Sequence, residues 1–154
     1  MNPWFWVTQV GAPELWLGIA AGVLIFYLAR RKVMGKKGKG FAKVFILSLI
    51  LTLVTVQAVK DVAQVPRPCG IENPYCEDDF SFPSGHSAAA FVAFSSILLF
   101  LPRKWLPLLV IPVLVAYSRV ALGVHTVTDV VAGSILGIMF PVIVWEALRK
   151  KGRI

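Results

Sequence analysis

Residues 105–148 read WLPLLVIPVLVAYSRVALGVHTVTDVVAGSILGIMFPVIVWEAL, two long apolar runs that meet at His125. The runs are Trp105–Val124 and Thr126–Leu148, and each matches the ~17–25 residues that a membrane-spanning helix needs. Few charged residues interrupt them. The stretch therefore predicts two consecutive membrane helices with a turn at His125.

Three similar runs precede this stretch: Ala12–Ala29, Phe41–Val59 and Ser84–Leu101. Of the 154 residues, 57% are hydrophobic and 16% are charged, against about 45–50% and about 25% in an average globular protein. A soluble helix bundle is disfavoured, because no amphipathic helix remains to face water. We predict one all-α domain over 1–154, an integral membrane bundle of about five transmembrane helices.

The segment Met1–Gly11 carries Trp4, Phe5 and Trp6. Aromatic rings favour the headgroup level, so we predict an interfacial helix there. The run Ala12–Ala29 is interpreted as a retained helix rather than a signal peptide, because basic residues follow it instead of preceding it.

The charge distribution predicts the orientation. The net charge is +8, with 16 Lys and Arg residues, but these lie in clusters between apolar runs, so no nucleic-acid partner is indicated. All except Lys60, Arg67 and Arg119 fall on one side of the predicted bundle. The positive-inside rule then places that side, with the C-terminus, in the cytoplasm.

The three remaining cations share the outer side with both histidines, His86 and His125. Arginine can grip a phosphate through two hydrogen bonds, so this side is predicted to bind an anion. Asp129 follows His125 by four residues, which puts both on one helix face. A carboxylate beside a histidine is typical of an oriented nucleophile or base.

The sequence Pro83-Ser84-Gly85-His86 predicts the start of a helix. Ser84 suits the N-cap, and the free N–H groups of the first turn favour a phosphate. Gly85 allows close approach of the backbone to a ligand. His86 is then placed to protonate a leaving group.

Each of these residues also has an ordinary structural interpretation. A membrane histidine can simply join helices by a hydrogen bond, Lys60 can be a snorkelling anchor, and Asp129 can stabilise a helix N-terminus. A transporter is the alternative from another functional class. It predicts charges at many membrane depths, whereas these cluster at one interface.

Three ordered motifs carry a family resemblance: K-x6-R-P over 60–68, P-S-G-H over 83–86 and S-R-x5-H-x3-D over 118–129. Together they resemble the signature of the type 2 phosphatidic acid phosphatase superfamily. The resemblance implies a membrane enzyme that removes the terminal phosphate or pyrophosphate of a lipid. Transfer of the phosphate to an acceptor other than water uses the same residues and stays open.

The same resemblance implies the role of each residue. His125 would attack phosphorus and form a phosphohistidine, Asp129 would hold its imidazole, and His86 would protonate the leaving oxygen. The expected phosphate-binding residues are Lys60, Arg67, Ser84, Gly85 and Arg119. No metal and no other cofactor is expected, because fixed cations and N–H groups supply the electrostatics.

Several expectations depend less directly on the motifs. Family members commonly have six spanning helices, so the difference is expected to lie at the N-terminus. Cys69 and Cys76 lie in the outer loop, where a disulfide is expected and two free thiols are the alternative.

The substrate tail is expected to enter beside small residues such as Ala88 and Gly133. Polyprenyl pyrophosphate is slightly favoured over phosphatidic acid and phosphatidylglycerophosphate, and the oligomeric state is not predicted.

Overall fold

A computed structural model describes residues 2–70 and 72–154 and folds them into a helical bundle. The helices are α1 (Pro3–Gln9), α2 (Pro13–Arg30), α3 (Lys36–Ala63), α4 (Gly85–Leu98), α5 (Val110–Ala121) and α6 (Val127–Lys150). A 3-10 helix over Arg103–Leu109 leads into α5. The predicted all-α class is confirmed, and α1 lies within the predicted N-terminal helix, whose Met1 is outside the described residues.

Four stretches in the described part of the chain are long and apolar enough to cross a membrane: Pro3–Arg30, Lys36–Ala63, Arg103–Ala121 and Val127–Lys150. The predicted third span, Ser84–Leu101, forms a shorter helix, because α4 has 14 residues. At about 1.5 Å per residue it is about 21 Å long, less than the ~30 Å hydrocarbon core. Helix α4 contacts α2, α3, α5 and α6, so protein rather than lipid surrounds most of it.

The predicted fourth span, Trp105–Val124, is divided by its prolines. Proline cannot donate the i→i−4 hydrogen bond, so it interrupts a regular α-helix. Pro107 lies in the 3-10 helix. Pro112 lies in the first turn of α5, where the missing donor costs little.

Helices α4 and α6 touch through their backbones. A Cβ on Gly133 would lie 2.4 Å from the Ser84 carbonyl oxygen, and one on Gly137 would lie 2.5 Å from that of Ala88. The Gly133–Gly137 pair therefore packs helices, as small residues four apart do in membranes. The expectation that Ala88 and Gly133 leave room for a lipid tail is wrong, because α4 and α6 fill that space.

Helix α2 is the most peripheral of the long helices. Gly18 and Gly22, although also four residues apart, have no atom of another element within 4 Å of an added Cβ. Ile25 is 68% exposed, as expected of a side chain that faces lipid. Only the Ala20 face of α2 joins the core, where it packs with Phe45 of α3 and others.

Candidate active site

The predicted site residues come together at one end of the bundle. They lie at the last turn of α3, in the loop 64–84, at the first turns of α4 and α6, and at the last turn of α5. The cation–carboxylate pairs and histidine contacts described below join them into one cluster. The predicted charge-rich side of the chain is thus a single site. The side chain of Arg67 is buried there, as are the residues Lys60, Ser84, Arg119, His125 and Asp129.

His125 and Asp129 form a buried pair. His125 Nδ1 lies 3.4 Å from Asp129 Oδ2, and the two residues are 2% and 1% exposed. Asp129 is held by the N-terminal structure of α6: its carboxylate accepts a 2.8 Å hydrogen bond from the Thr126 backbone N–H, and Thr126 Oγ1 accepts one from the Asp129 N–H. This reciprocal capping box holds the Asp129 carboxylate in place through the hydrogen bonds that start α6.

Ser81 contacts both residues of this pair, and the sequence motifs did not indicate it. Its buried hydroxyl donates a 2.5 Å hydrogen bond to Asp129 Oδ2 and lies 3.3 Å from His125 Nδ1. No charge or histidine marks Ser81 in the sequence, so only its burial beside Asp129 reveals it.

Arg67 contacts the other ring nitrogen of His125. Arg67 Nη1 lies 3.0 Å from His125 Nε2, and a guanidinium can only donate. Nε2 is therefore the acceptor, with its lone pair on the side of the cations, and the ring proton belongs on Nδ1 facing Asp129. Burial, together with the Arg119 and Arg67 charges, lowers the pKa of His125, so the imidazole is neutral at pH 7.

Two carboxylates that the sequence analysis did not select, Glu77 and Asp79, neutralise the cations. Glu77 accepts from Arg67 Nη2 at 2.5 Å and from Arg119 Nη2 at 2.7 Å. Asp79 pairs with Lys60 and Arg67. Buried cations require counter-charges, and the acidic residues of the outer loop are the sequence signal that could have found them.

These pairs control the ionisation of both carboxyl groups. Partial burial alone would raise the pKa of Glu77, but Arg119, His86 and Arg67 hold it below its ordinary value. Burial would likewise raise the pKa of Asp79, and the hydrogen bonds from Lys60 and Arg67 reverse that effect. Both carboxylates are therefore charged at neutral pH.

The Pro83–His86 motif starts α4 as the sequence predicts. Ser84 is the N-cap, and its hydroxyl accepts a 3.5 Å bond from the Ser87 N–H. The Ser84 N–H donates to the Asp129 carbonyl at 3.0 Å, which ties α4 to α6. His86 Nδ1 lies 3.8 Å from Glu77 Oε1. An added Cβ on Gly85 would come no closer than 3.8 Å to other residues, so protein packing does not require this glycine.

Two cavities meet at the site. The larger, about 460 Å³, lies between α2 and α3, and Lys60, Glu77, Asp79, Gly85 and His86 line its polar side. Its apolar side is formed by residues of α2 and α3 together with the turn before α2: Ala12, Pro13, Leu53 and Val56. A smaller cavity of about 230 Å³ lies beneath α1.

The N-terminal helix and the outer loop close the smaller cavity. Arg119 Nη1 donates to Thr8 Oγ1 of α1 at 3.2 Å, a contact that no sequence motif suggested. The Trp4 and Tyr117 rings pack edge to face at 4.9 Å. In the loop, the structure joins Cys69 and Cys76 by a disulfide.

The comparisons with known proteins identify the family. The pattern of the PAP2 superfamily matches residues 41–153, which include every catalytic and phosphate-binding residue predicted above. The chain belongs to this superfamily. Together with its apolar helices, this membership makes it a multi-pass membrane protein.

Two curated PAP2 relatives and one solved structure are similar to the chain. Undecaprenyl-diphosphatase of Sulfolobus acidocaldarius is 31% identical over 137 residues, which are 85% of this chain and 62% of that protein. Dolichyldiphosphatase 1 of Rhinolophus ferrumequinum is 32% identical over 125 residues, 70% of this chain and 52% of that protein. The chain thus spans less than two thirds of either relative.

The similar structure is that of a transmembrane PAP2-type phosphatidylglycerolphosphate phosphatase from Bacillus subtilis. It superimposes with a TM-score of 0.67 at 28% sequence identity, covering 98% of this chain and 79% of that chain. The agreement extends the likeness beyond the family pattern to α1 and α2.

Proposed function

We propose that the protein is a lipid phosphate phosphatase that works through a phosphohistidine. The observation that carries this proposal is the 3.0 Å contact between Arg67 Nη1 and His125 Nε2. It supports an unprotonated Nε2 whose lone pair faces a cluster of three cations, where a phosphoryl group would lie. Arg119 Nε is buried and has no hydrogen-bond partner in the described part of the chain, which leaves one more donor for that group.

In the first step, His125 Nε2 would form a bond to phosphorus while the bond to the lipid oxygen breaks. His86 would give a proton to that oxygen, and it would do so in its protonated form, which the negative charge of the bound phosphate favours against the burial and the Arg119 charge that lower the pKa of His86 to about 4. Asp129 would stabilise the positive His125 imidazole. In the second step, water would attack phosphorus, the P–N bond would break, and His86 would take the proton from water. Lys60, Arg67, Arg119 and the N–H groups after Ser84 would stabilise the phosphoryl oxygens.

The substrate class is proposed from the larger cavity. Leu53, Val56 and Pro13 form an apolar wall next to Lys60 and His86, an arrangement suited to an amphiphile with its phosphate at the polar end. Two relatives are named undecaprenyl-diphosphatase and dolichyldiphosphatase 1, which favours a polyprenyl pyrophosphate. The likeness to a phosphatidylglycerolphosphate phosphatase keeps phosphatidylglycerophosphate as the second candidate.

The test is phosphate release by purified protein in detergent from a panel of polyprenyl pyrophosphates, phosphatidic acid, phosphatidylglycerophosphate and water-soluble sugar phosphates. We expect a lipid to give the highest kcat/KM, activity to survive EDTA, and vanadate to inhibit. A higher kcat/KM for the sugar phosphates than for every lipid would contradict the lipid assignment. Loss of activity in EDTA with rescue by magnesium would contradict the metal-independent mechanism.

The orientation is proposed with the site outside and the C-terminus in the cytoplasm. The clustered basic residues of the 30–43 segment support it through the positive-inside rule. Single cysteines placed at positions 36–39 should resist an impermeant thiol reagent in intact cells and react after lysis. Labelling of these cysteines in intact cells would show that the orientation is the opposite one.

A further inference from the structure

The three cations of the site differ from their carboxylate partners in exposure. The side chains of Lys60, Arg67 and Arg119 are 5%, 3% and 3% exposed, whereas those of Glu77 and Asp79 are 39% and 46% exposed. The cations are therefore fixed by surrounding protein. The carboxylates reach them from the solvent side and can leave without unpacking the bundle.

The two carboxylates occupy the positions that suit a phosphoryl group. The oxygens of Glu77 accept separately from Arg67 and Arg119, at 2.5 and 2.7 Å, as two oxygens of one phosphate would. Oε1 of Glu77 is also the atom that faces His86 Nδ1. Asp79 uses the donors of Lys60 and Arg67. A bound phosphate and these carboxylates would compete for the same N–H groups.

The surroundings of Glu77 leave room for such an exchange. Glu77 and His86 line both the 460 Å³ and the 230 Å³ cavities, so the Glu77 side chain lies between two open spaces. The preceding residue, Cys76, is tied to Cys69 by the disulfide. The backbone is thus anchored next to a side chain that has space to turn.

We propose that Glu77 and Asp79 are specificity-determining residues that substrate phosphate must displace. This inference rests on the proposed function of the same site. Two carboxylates withdraw two negative charges when they leave, so a ligand must bring at least two to restore the balance around the buried cations. A phosphate monoester or a pyrophosphate does so. A phosphodiester, the headgroup linkage of ordinary bilayer phospholipids, carries one negative charge and is excluded.

The experiment compares oxyanion binding by wild type, Glu77→Gln and Asp79→Asn, each purified in detergent. Isothermal titration with orthovanadate and with inorganic phosphate gives the Kd, and dimethyl phosphate serves as the monoanionic diester. Asp78→Asn is the matched control, because Asp78 lies between the two carboxylates, is exposed, and forms no ion pair with the described residues.

Loss of a competing charged hydrogen bond should tighten binding of vanadate and phosphate by about tenfold. Dimethyl phosphate should bind the Glu77→Gln and Asp79→Asn variants but not wild type, and Asp78→Asn should match wild type throughout. Unchanged or weaker vanadate binding in both carboxylate variants would overturn the inference. If one variant does not fold, as judged by its thermal transition, the other decides.

The outcome also separates this inference from the proposed function. If wild type binds vanadate and the variants bind it no more tightly, the phosphate site stands and the displacement is wrong. If neither wild type nor any variant binds vanadate or phosphate, the proposed phosphate site itself is wrong, and the inference fails with it.

Discussion

Beside the two histidines, α4 and α6 touch through their backbones, whereas at the three cations the loop 64–84 supplies neutralising carboxylates. At the helix contact, added Cβ atoms on Gly133 and Gly137 would overlap main-chain atoms of α4. At the loop, half-exposed Glu77 and Asp79 cover buried cations. One region is packed backbone against backbone, and the other is held by ion pairs whose carboxylates are half-exposed.

The difference suits the separate tasks that we propose for the two regions. A nucleophile and a general acid must be held in place to within a fraction of an ångström, which close backbone packing achieves. An anion site must accept and release its ligand, which half-exposed counter-ions allow.

The largest effects are expected at the two histidines beside the helix contact. His125→Ala should remove nearly all turnover and the phosphoenzyme, because His125 Nε2 is the proposed nucleophile that forms the P–N bond. His86→Ala should lower kcat by about 10²–10⁴-fold, the usual contribution of a general acid. An aryl phosphate with a low-pKa leaving group should recover part of the His86 loss and none of the His125 loss. Equal recovery of both variants would contradict the two roles.

Removing the disulfide tests how much the outer loop contributes to the stability of the protein. Replacing Cys69 and Cys76 with serine frees a closed loop of about eight residues, which should cost about 2.5 kcal/mol by loop-closure entropy. The measurement is the denaturation midpoint of wild type with and without reductant, beside that of the double variant. Titration of two thiols in unreduced, denatured wild type would show that the bond is absent.

A matched pair of glycines tests the helix contact. Gly133→Ala should destabilise the protein by about 1–3 kcal/mol, because the methyl group meets the Ser84 carbonyl oxygen, which belongs to the backbone and cannot move aside. Gly18→Ala has open space and should be neutral or slightly stabilising, since alanine favours helix. Thermal unfolding in detergent measures both. Equal tolerance of the two changes would mean that α4 and α6 are not in backbone contact.

The smallest effect is the pH dependence of the loop's ion pairs. The pKa values of Glu77 and Asp79 are lowered in the folded protein, so the unfolded chain takes up protons first as pH falls. Their stabilisation is therefore complete at neutral pH and is lost as pH falls through the ordinary carboxyl range, near 4, and below it.

Melting temperatures measured from neutral pH to well below about pH 4 follow this loss. Glu77→Gln and Asp79→Asn should each flatten the acid dependence, while Asp78→Asn should leave it as in wild type. A wild-type slope in both carboxylate variants would mean that the ion pairs do not contribute to stability.

The sequence determined the membrane class, the helices and which cations and histidines lie together. Apolar runs of spanning length can form only helices in lipid, because every backbone group must be bonded within the segment. His125 and Asp129 are four residues apart, and Ser84 begins a helix, so local geometry alone placed these residues. Helix lengths were less predictable at Ser84–Leu101, where surrounding protein replaced lipid and the helix stops at Leu98.

Only the tertiary structure decided how the charges are satisfied and where space remains. The partners of Arg119 are Thr8 and Glu77, which lie 111 and 42 positions away in the chain, and no local pattern encodes such pairs. The small residues of α4 and α6 likewise fit either an open cleft or a close contact until the helices are docked. Charge neutralisation and close packing depend on distances between distant segments, whereas spanning length and helix capping depend on neighbours in the chain.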